Sequence, residues 1–208
     1  MAKRDRDESM KRFVEAVGEI LKEKGYAGLG VNKIALQAGM NKKLIYRYFG
    51  SLNQLLKVYI SGKDYWQPLL RELNEASDGR GQDILPLFTQ LFQELFRFFR
   101  SEQEMQQFIL WQMSEPNPLM RGISEERERE GARLLALTDG HFRDSGVNIR
   151  AVMALLLGGI YYVLLHAEHN KSTVAGVDMN LEKDREEMLR TIGQVLGWAW
   201  AAADKKAS

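Results

Sequence analysis

Cysteine is absent from the 208 residues. That excludes disulfides, thiolate metal ligands and cysteine nucleophiles, and fits a reducing compartment. Proline is scarce: the four prolines stand at 68, 86, 116 and 118. Elsewhere helices can run without the backbone N–H that a proline would remove. No segment shows the strict alternation of a half-buried strand, and no internal repeat is visible. The longest apolar run, Ala151 to Leu165, is broken only by Gly158 and Gly159. It falls short of the roughly 20 residues that span a bilayer, so a buried helix is expected there and no membrane partner. The opening MAKRDRDESMKRF is charged and lacks the apolar core of a secretory signal, so a cytoplasmic chain is expected. Glycine-rich phosphate loops, a Gly-x-Ser-x-Gly elbow and any set of nucleophile, base and orienting group are also missing, so nothing points to an enzyme or to a cofactor.

What is present is a helical core-former with an uneven charge. Hydrophobic residues make up 45% of the chain, enough to bury a substantial core. Apolar residues recur at spacings of three and four nearly throughout, which predicts an all-α fold. The net charge of +1 conceals an asymmetry. Residues 1–65 hold 13 Lys and Arg against 7 Asp and Glu, leaving 16 basic and 21 acidic residues behind them. The front of the chain is therefore the part suited to a polyanion.

Phe13, Val17, Ile20 and Leu21 form one face of a first helix ending at Lys24, with Gly25 available for a left-handed cap. A short helix, Val31 to Ala38, is followed by Gly39 at a corner that needs positive φ. A third begins at Asn41 as N-cap and runs to about Phe49. Ser51 caps a fourth, which should continue past Gly62 toward Leu73, and the polar stretch 77–83 forms a connection. Further helices are expected from about Ile84 to Arg100, Met105 to Met113, Ile123 to Phe142, Asn148 to His169 and Leu181 to Ala203. Pro116 and Pro118 separate the second and third of these, and a mobile loop precedes the last.

The stretch VNKIALQAGMNKKLIYRYF, residues 31–49, carries most of the functional information. Ile34, Ala35, Ala38, Met40, Ile45 and Phe49 are apolar where two crossing helices must touch. Lys42, Lys43, Leu44, Tyr46, Arg47 and Tyr48 are left on the outside of the third helix, with Asn41 at its start. Such a helix fits the DNA major groove. Lys and Arg can donate to guanine there, an apolar side chain can meet a thymine methyl, and phenols and helix N-termini can hold phosphates. Any one of these cations could equally be a solubilising surface residue, so the grouping carries the argument.

In Tyr26, Ile34, Ala35, Ala38, Gly39, Tyr46, Phe49, Ser51, Leu55 and Leu56 the chain resembles the tetracycline-repressor (TetR) family of helix-turn-helix regulators. The resemblance covers the first quarter of the chain. Three positions depart from the family pattern. Gly30 replaces a hydroxyl residue that caps the second helix, Lys43 and Leu44 replace Gly-Thr, and Leu52 replaces a phosphate-binding lysine. Lys42, Lys43 and Lys57 remain as cations to take that lysine's place, and Asn32 occupies a second-helix position that can reach a base.

The resemblance implies a helix-turn-helix DNA-binding domain over 1–50 and a larger helical effector-binding and dimerisation domain over 51–208. It also implies a repressor that binds double-stranded DNA as a homodimer through its last two long helices and leaves a palindromic operator when a small molecule binds. Ala151, Ala154, Gly158 and Gly159 offer a smooth surface for such a dimer, and Leu189, Ile192, Leu196 and Trp200 an apolar stripe. Phe108, Trp111, Met113, Tyr161 and Tyr162 are candidates for an adaptable effector pocket. His166 and His169 share a helix face but supply two ligands without an assigned third, so no metal is expected. Two other readings stand beside the regulator. One is a helical enzyme or small-molecule carrier whose basic N-terminus is incidental; the other is an architectural nucleic-acid binder without an effector.

Overall fold

The structure, a computed structural model, describes residues 3–63 and 84–207. The expected continuation of the fourth helix toward Leu73 and the connection 77–83 lie outside the described residues. Among those described, regular structure is helical apart from an isolated bridge between Val174 and Val177. The fold is all-α, and it divides into two compact units. The first takes its described residues from 3–63 and 103–126, the second from 84–102 and 127–207.

In the first unit α1 (Lys3–Lys24) is the central element. Its apolar face, Phe13, Ala16, Val17, Ile20 and Leu21, is buried, against α2 (Val31–Gln37), α3 (Lys43–Phe49) and α4 (Leu52–Lys63). Gly25 follows α1 at φ 62° and ψ −171°, an extended backbone with positive φ that suits glycine and is not the left-handed cap expected, and Gly39, at φ 63°, makes the corner between α2 and α3. Ser51 Oγ accepts the Gln54 N–H at 3.2 Å, capping α4.

The N-terminus of α3 differs from expectation. Asn41 Oδ1 accepts the Lys43 N–H at 2.9 Å, so Asn41 folds into a side-chain turn and the helix starts at Lys43. A further helix, α6 (Gln103–Ser114), packs on α1 and on the 3-10 turn Tyr26–Gly28. Tyr26 stacks on Trp111, with centroids 5.7 Å apart and planes 8° from parallel.

Glu104 is the buried charge of this unit. Its side chain is 6% exposed and lies 3.0 Å from Lys22 Nζ and 3.2 Å from Lys63 Nζ. It also accepts a short hydrogen bond from the Tyr59 hydroxyl. Burial, the largest single effect, pushes the Glu104 carboxyl up. The hydrogen bonds from Tyr59, Lys22 and Lys63, with the charge of Lys63, outweigh it and hold the group below its ordinary value. Gly18 makes room for this arrangement, since a Cβ there would lie 2.7 Å from the Tyr59 hydroxyl.

The second unit is built on α5 (Ile84–Ser101), whose face of Phe88, Leu91, Phe92, Leu95, Phe96 and Phe99 is buried. Burial of each such side chain is worth about 1.5–3 kcal/mol. Against it pack α9 (Ile149–Asn170) and α10 (Glu182–Ala207). Asn148 caps α9 by accepting the Ala151 N–H at 3.1 Å.

Three expectations need correction here. Ile192, Leu196 and Trp200 do not form an outward stripe: they are buried within the unit, Trp200 lying 6.3 Å from Phe88 and 4.7 Å from Phe142. The charged helix does not reach Phe142. It ends as α7 (Pro118–Ala136), with the four-residue α8 (Asp139–Phe142) following. The N–H groups of Leu137 and Thr138 bond only three residues back, and Thr138 Oγ1 donates to the Leu135 carbonyl at 2.7 Å. Lastly, α9 is longer than its apolar run, at 22 residues, and is long and apolar enough to cross a membrane by length and composition alone. It is not the buried helix expected, for only 28% of its most apolar window is covered.

Candidate nucleic-acid interface

The seven residues of α3 sort into stripes by helical spacing. Ile45 and Phe49, four apart, are buried. Phe49 meets Phe13 of α1 edge-on, with centroids 6.3 Å apart. This anchor fixes the rotation of the helix. Lys43, Tyr46 and Arg47, at i, i+3 and i+4, consequently form one contiguous outward face; Tyr46 is 53% exposed. Leu44 and Tyr48, half-buried, line a flank between the two.

The start of the helix is tied to its neighbour. Lys42 Nζ donates to Asn32 Oδ1 at 3.0 Å, joining two exposed candidates from α2 and α3. The turn is tied to α1 by Arg12, whose Nη2 donates to the Ala38 carbonyl at 3.0 Å. Asn32, Asn41, Lys42, Lys43, Leu44, Tyr46, Arg47 and Tyr48 thus lie on or beside one outward surface of two crossing helices. Lys57 differs from them: it pairs with Glu126 at 3.3 Å, both side chains being partly exposed. Such an arrangement can donate hydrogen bonds to base edges from its centre and to phosphates from its flanks.

The candidate pocket residues are divided between the units. Phe108 and Trp111 are buried in the first, Phe108 against Tyr59 with centroids 6.0 Å apart. The Trp111 indole donates to Glu115 at 2.7 Å. Met113, also in the first unit, is 64% exposed. In the second, Tyr161 packs on Phe99 with centroids 4.5 Å apart, whereas Tyr162 is 58% exposed.

Sequence reasoning passed over two features of the first unit. Glu104 gives no local signal, because its partners stand 41 to 82 positions away in the chain. Arg6, whose guanidinium lies 5.9 Å from the Tyr48 ring centroid, could have been found from its spacing of seven from Phe13 on one helix face.

A family description, bacterial regulatory proteins of the tetR family, matches residues 14–59. No curated protein matches the chain in sequence. Solved structures do. The transcriptional regulator FadR from Bacillus subtilis, in complex with stearoyl-CoA, is 17% identical with a TM-score of 0.61, covering 89% of this chain and 96% of its own. A TetR family transcription regulator from Marinobacter aquaeolei is 20% identical with a TM-score of 0.61, covering 96% and 97%. NalD, the secondary repressor of the MexAB-OprM multidrug efflux pump in Pseudomonas aeruginosa, is 17% identical with a TM-score of 0.61, covering 93% and 98%. Residues 14–59 therefore match the description of bacterial regulatory proteins of the tetR family, and the chain shares its all-helical fold with these structures.

Proposed function

We propose that this chain is a transcriptional regulator of the tetR family, a repressor that binds a roughly palindromic operator as a homodimer and is released by a small-molecule effector. The observation that carries the DNA reading is the outward face of Lys43, Tyr46 and Arg47 on a helix pinned from behind by Ile45 and Phe49. Lys43 and Arg47 are assigned to base edges. Asn41, Lys42 and Tyr48 are assigned to phosphates on either side, with Asn32 and Leu44 at the margins of the read sequence. Lys57 can join them by exchanging Glu126 for a phosphate.

Support for the dimer comes from what the second unit leaves uncovered. Leu155 on α9 is 77% exposed and Trp198 on α10 is 66% exposed, and no atom of the described residues lies within 4 Å of a Cβ built on Gly158 or Gly159. A flat apolar surface of this kind is suited to a second copy. Two heads related by a twofold axis would meet successive major grooves. Effector release is supported by the similar FadR, which was solved with stearoyl-CoA. Acyl thioesters with long apolar chains are therefore the first class to screen.

The test is fluorescence anisotropy with duplex DNA from upstream of the chain's own coding sequence, over a salt series. Affinity should fall by about 10³-fold or more between 50 and 200 mM salt as phosphates exchange protein cations for counterions. An effector should raise the melting temperature and release the duplex in parallel. Failure to bind any fragment at low salt would return the chain to the carrier or enzyme reading.

A further inference from the structure

The DNA face described so far ends at Tyr48. Next to it stands a cation that the family match, which begins at residue 14, does not reach. Arg6 is exposed on the second turn of α1, with its guanidinium carbon 5.9 Å from the Tyr48 ring centroid. Its place follows from packing: Phe13, two helical turns further along the same stripe, is fully buried against Phe49. A helix anchored at Phe13 on Phe49 therefore sets Arg6 on Tyr48, one residue before Phe49.

On its own helix Arg6 has no acid at the spacings of three and four residues that favour an ion pair. Positions three and four residues away hold Ala2, Lys3, Ser9 and Met10, with no acid among them. Asp5, Asp7 and Glu8 stand at neighbouring positions, which point to other faces of the helix. Arg12, further along the same helix, is already committed to the Ala38 carbonyl. A guanidinium resting on an aromatic face keeps the donors along its edge available, which is the form in which arginine meets phosphate.

We propose that Arg6, positioned by the ring of Tyr48, is a phosphate-contacting cation that extends the DNA surface from α3 onto the N-terminal turns of α1. This rests on the DNA reading proposed above. It adds one backbone contact per head that carries no base information, so it raises affinity for all sequences alike.

The experiment uses the full chain and the duplex that the wild-type protein selects from a randomised pool. Its affinity is measured from about 50 to about 200 mM salt for wild type, R6A, R6E, Y48F and Y48L, with melting curves for each. Loss of one phosphate contact lowers the slope of log K against log salt by about 0.9, hence by about 1.8 for a dimer carrying two heads. R6A should then lose about 12-fold less affinity than wild type across that range, and R6E should lower the slope at least as much. Y48L should match R6A because the ring is gone. Y48F loses the hydroxyl assigned to a phosphate and should bind more weakly at every salt concentration, but it keeps the ring and removes no charge, so its slope should remain that of wild type. A wild-type slope for R6A and R6E, with melting unchanged, overturns the assignment of Arg6. A wild-type slope for Y48L alongside a lowered one for R6A overturns the positioning by the ring. If the wild-type protein selects no duplex, it is the DNA reading that fails.

Discussion

Glu104 gives the most quantitative handle on the first unit, through the replacement Glu104→Gln. The variant keeps the volume and an acceptor oxygen for the Tyr59 hydroxyl, but presents an amide where two ammonium groups stand 3.0 and 3.2 Å from the carboxylate. Lys22 and Lys63 are 62% and 46% exposed, so solvent screens both pairs. Each is worth about 1 kcal/mol rather than the 3–5 kcal/mol typical of breaking a fully buried pair. Losing both gives about 2 kcal/mol, or a fall in melting temperature of about 4–8 °C for a chain of this size.

The pH dependence supplies a second readout. The folded carboxyl titrates below its ordinary value of 4.5, so on acidification the unfolded chain takes up the proton first. Stability from this group is therefore complete above about pH 5 and is lost as pH falls through the folded value. The gap between wild type and variant should be widest near neutrality and should close below pH 4.5. Urea unfolding at a series of pH values would measure it, with hydrogen exchange of the α6 amides locating the effect. A gap below about 0.5 kcal/mol near neutrality, or one that does not change with pH, would refute the ionic role assigned to Glu104.

Gly18→Ala should destabilise the first unit by about 1–2 kcal/mol in thermal melts. The helix-propensity gain of up to about 1 kcal/mol is outweighed because the new methyl would meet a Tyr59 hydroxyl already held by Glu104; a stabilised variant would contradict this. Leu155→Glu, at a position 77% exposed in the single chain, should convert the proposed dimer to monomer in sedimentation while leaving helix content unchanged, and should weaken operator binding by at least tenfold. Retention of a dimer would remove α9 from the interface. Trp111→Leu should cost about 1–3 kcal/mol through loss of the Tyr26 stack and of aromatic burial, as urea unfolding would show; an unchanged midpoint would deny that the stack stabilises the unit.

The sequence discloses most where the contacts are local. Scarce proline and spacings of three and four point to an all-helical chain, and Gly25, Gly39 and Ser51 mark ends and corners because each acts on its immediate neighbours. Lys43, Tyr46 and Arg47 are legible as an outward set because Ile45 and Phe49 claim the inner face at helical spacing. Contacts between distant segments are not legible in this way. Nothing near Glu104 announces that Lys22, Tyr59 and Lys63 converge on it. The apolar residues of α10 cannot say by themselves whether Ile192 and Leu196 face α5 or a second copy. Asn41 illustrates a finer ambiguity, since the same side chain can cap a helix or close a turn before it, and here it bonds the Lys43 N–H.

The outward face of α3 is proposed to read base sequence. Selection of duplexes from a randomised pool by wild type, K43A and R47A tests it most directly. The wild-type protein should enrich two inverted half-sites about one or more helical turns apart, and each variant should relax preference at particular base pairs, each worth about 1–3 kcal/mol. Enrichment of the same sequence by all three proteins, or none above the input pool at low salt, would contradict it.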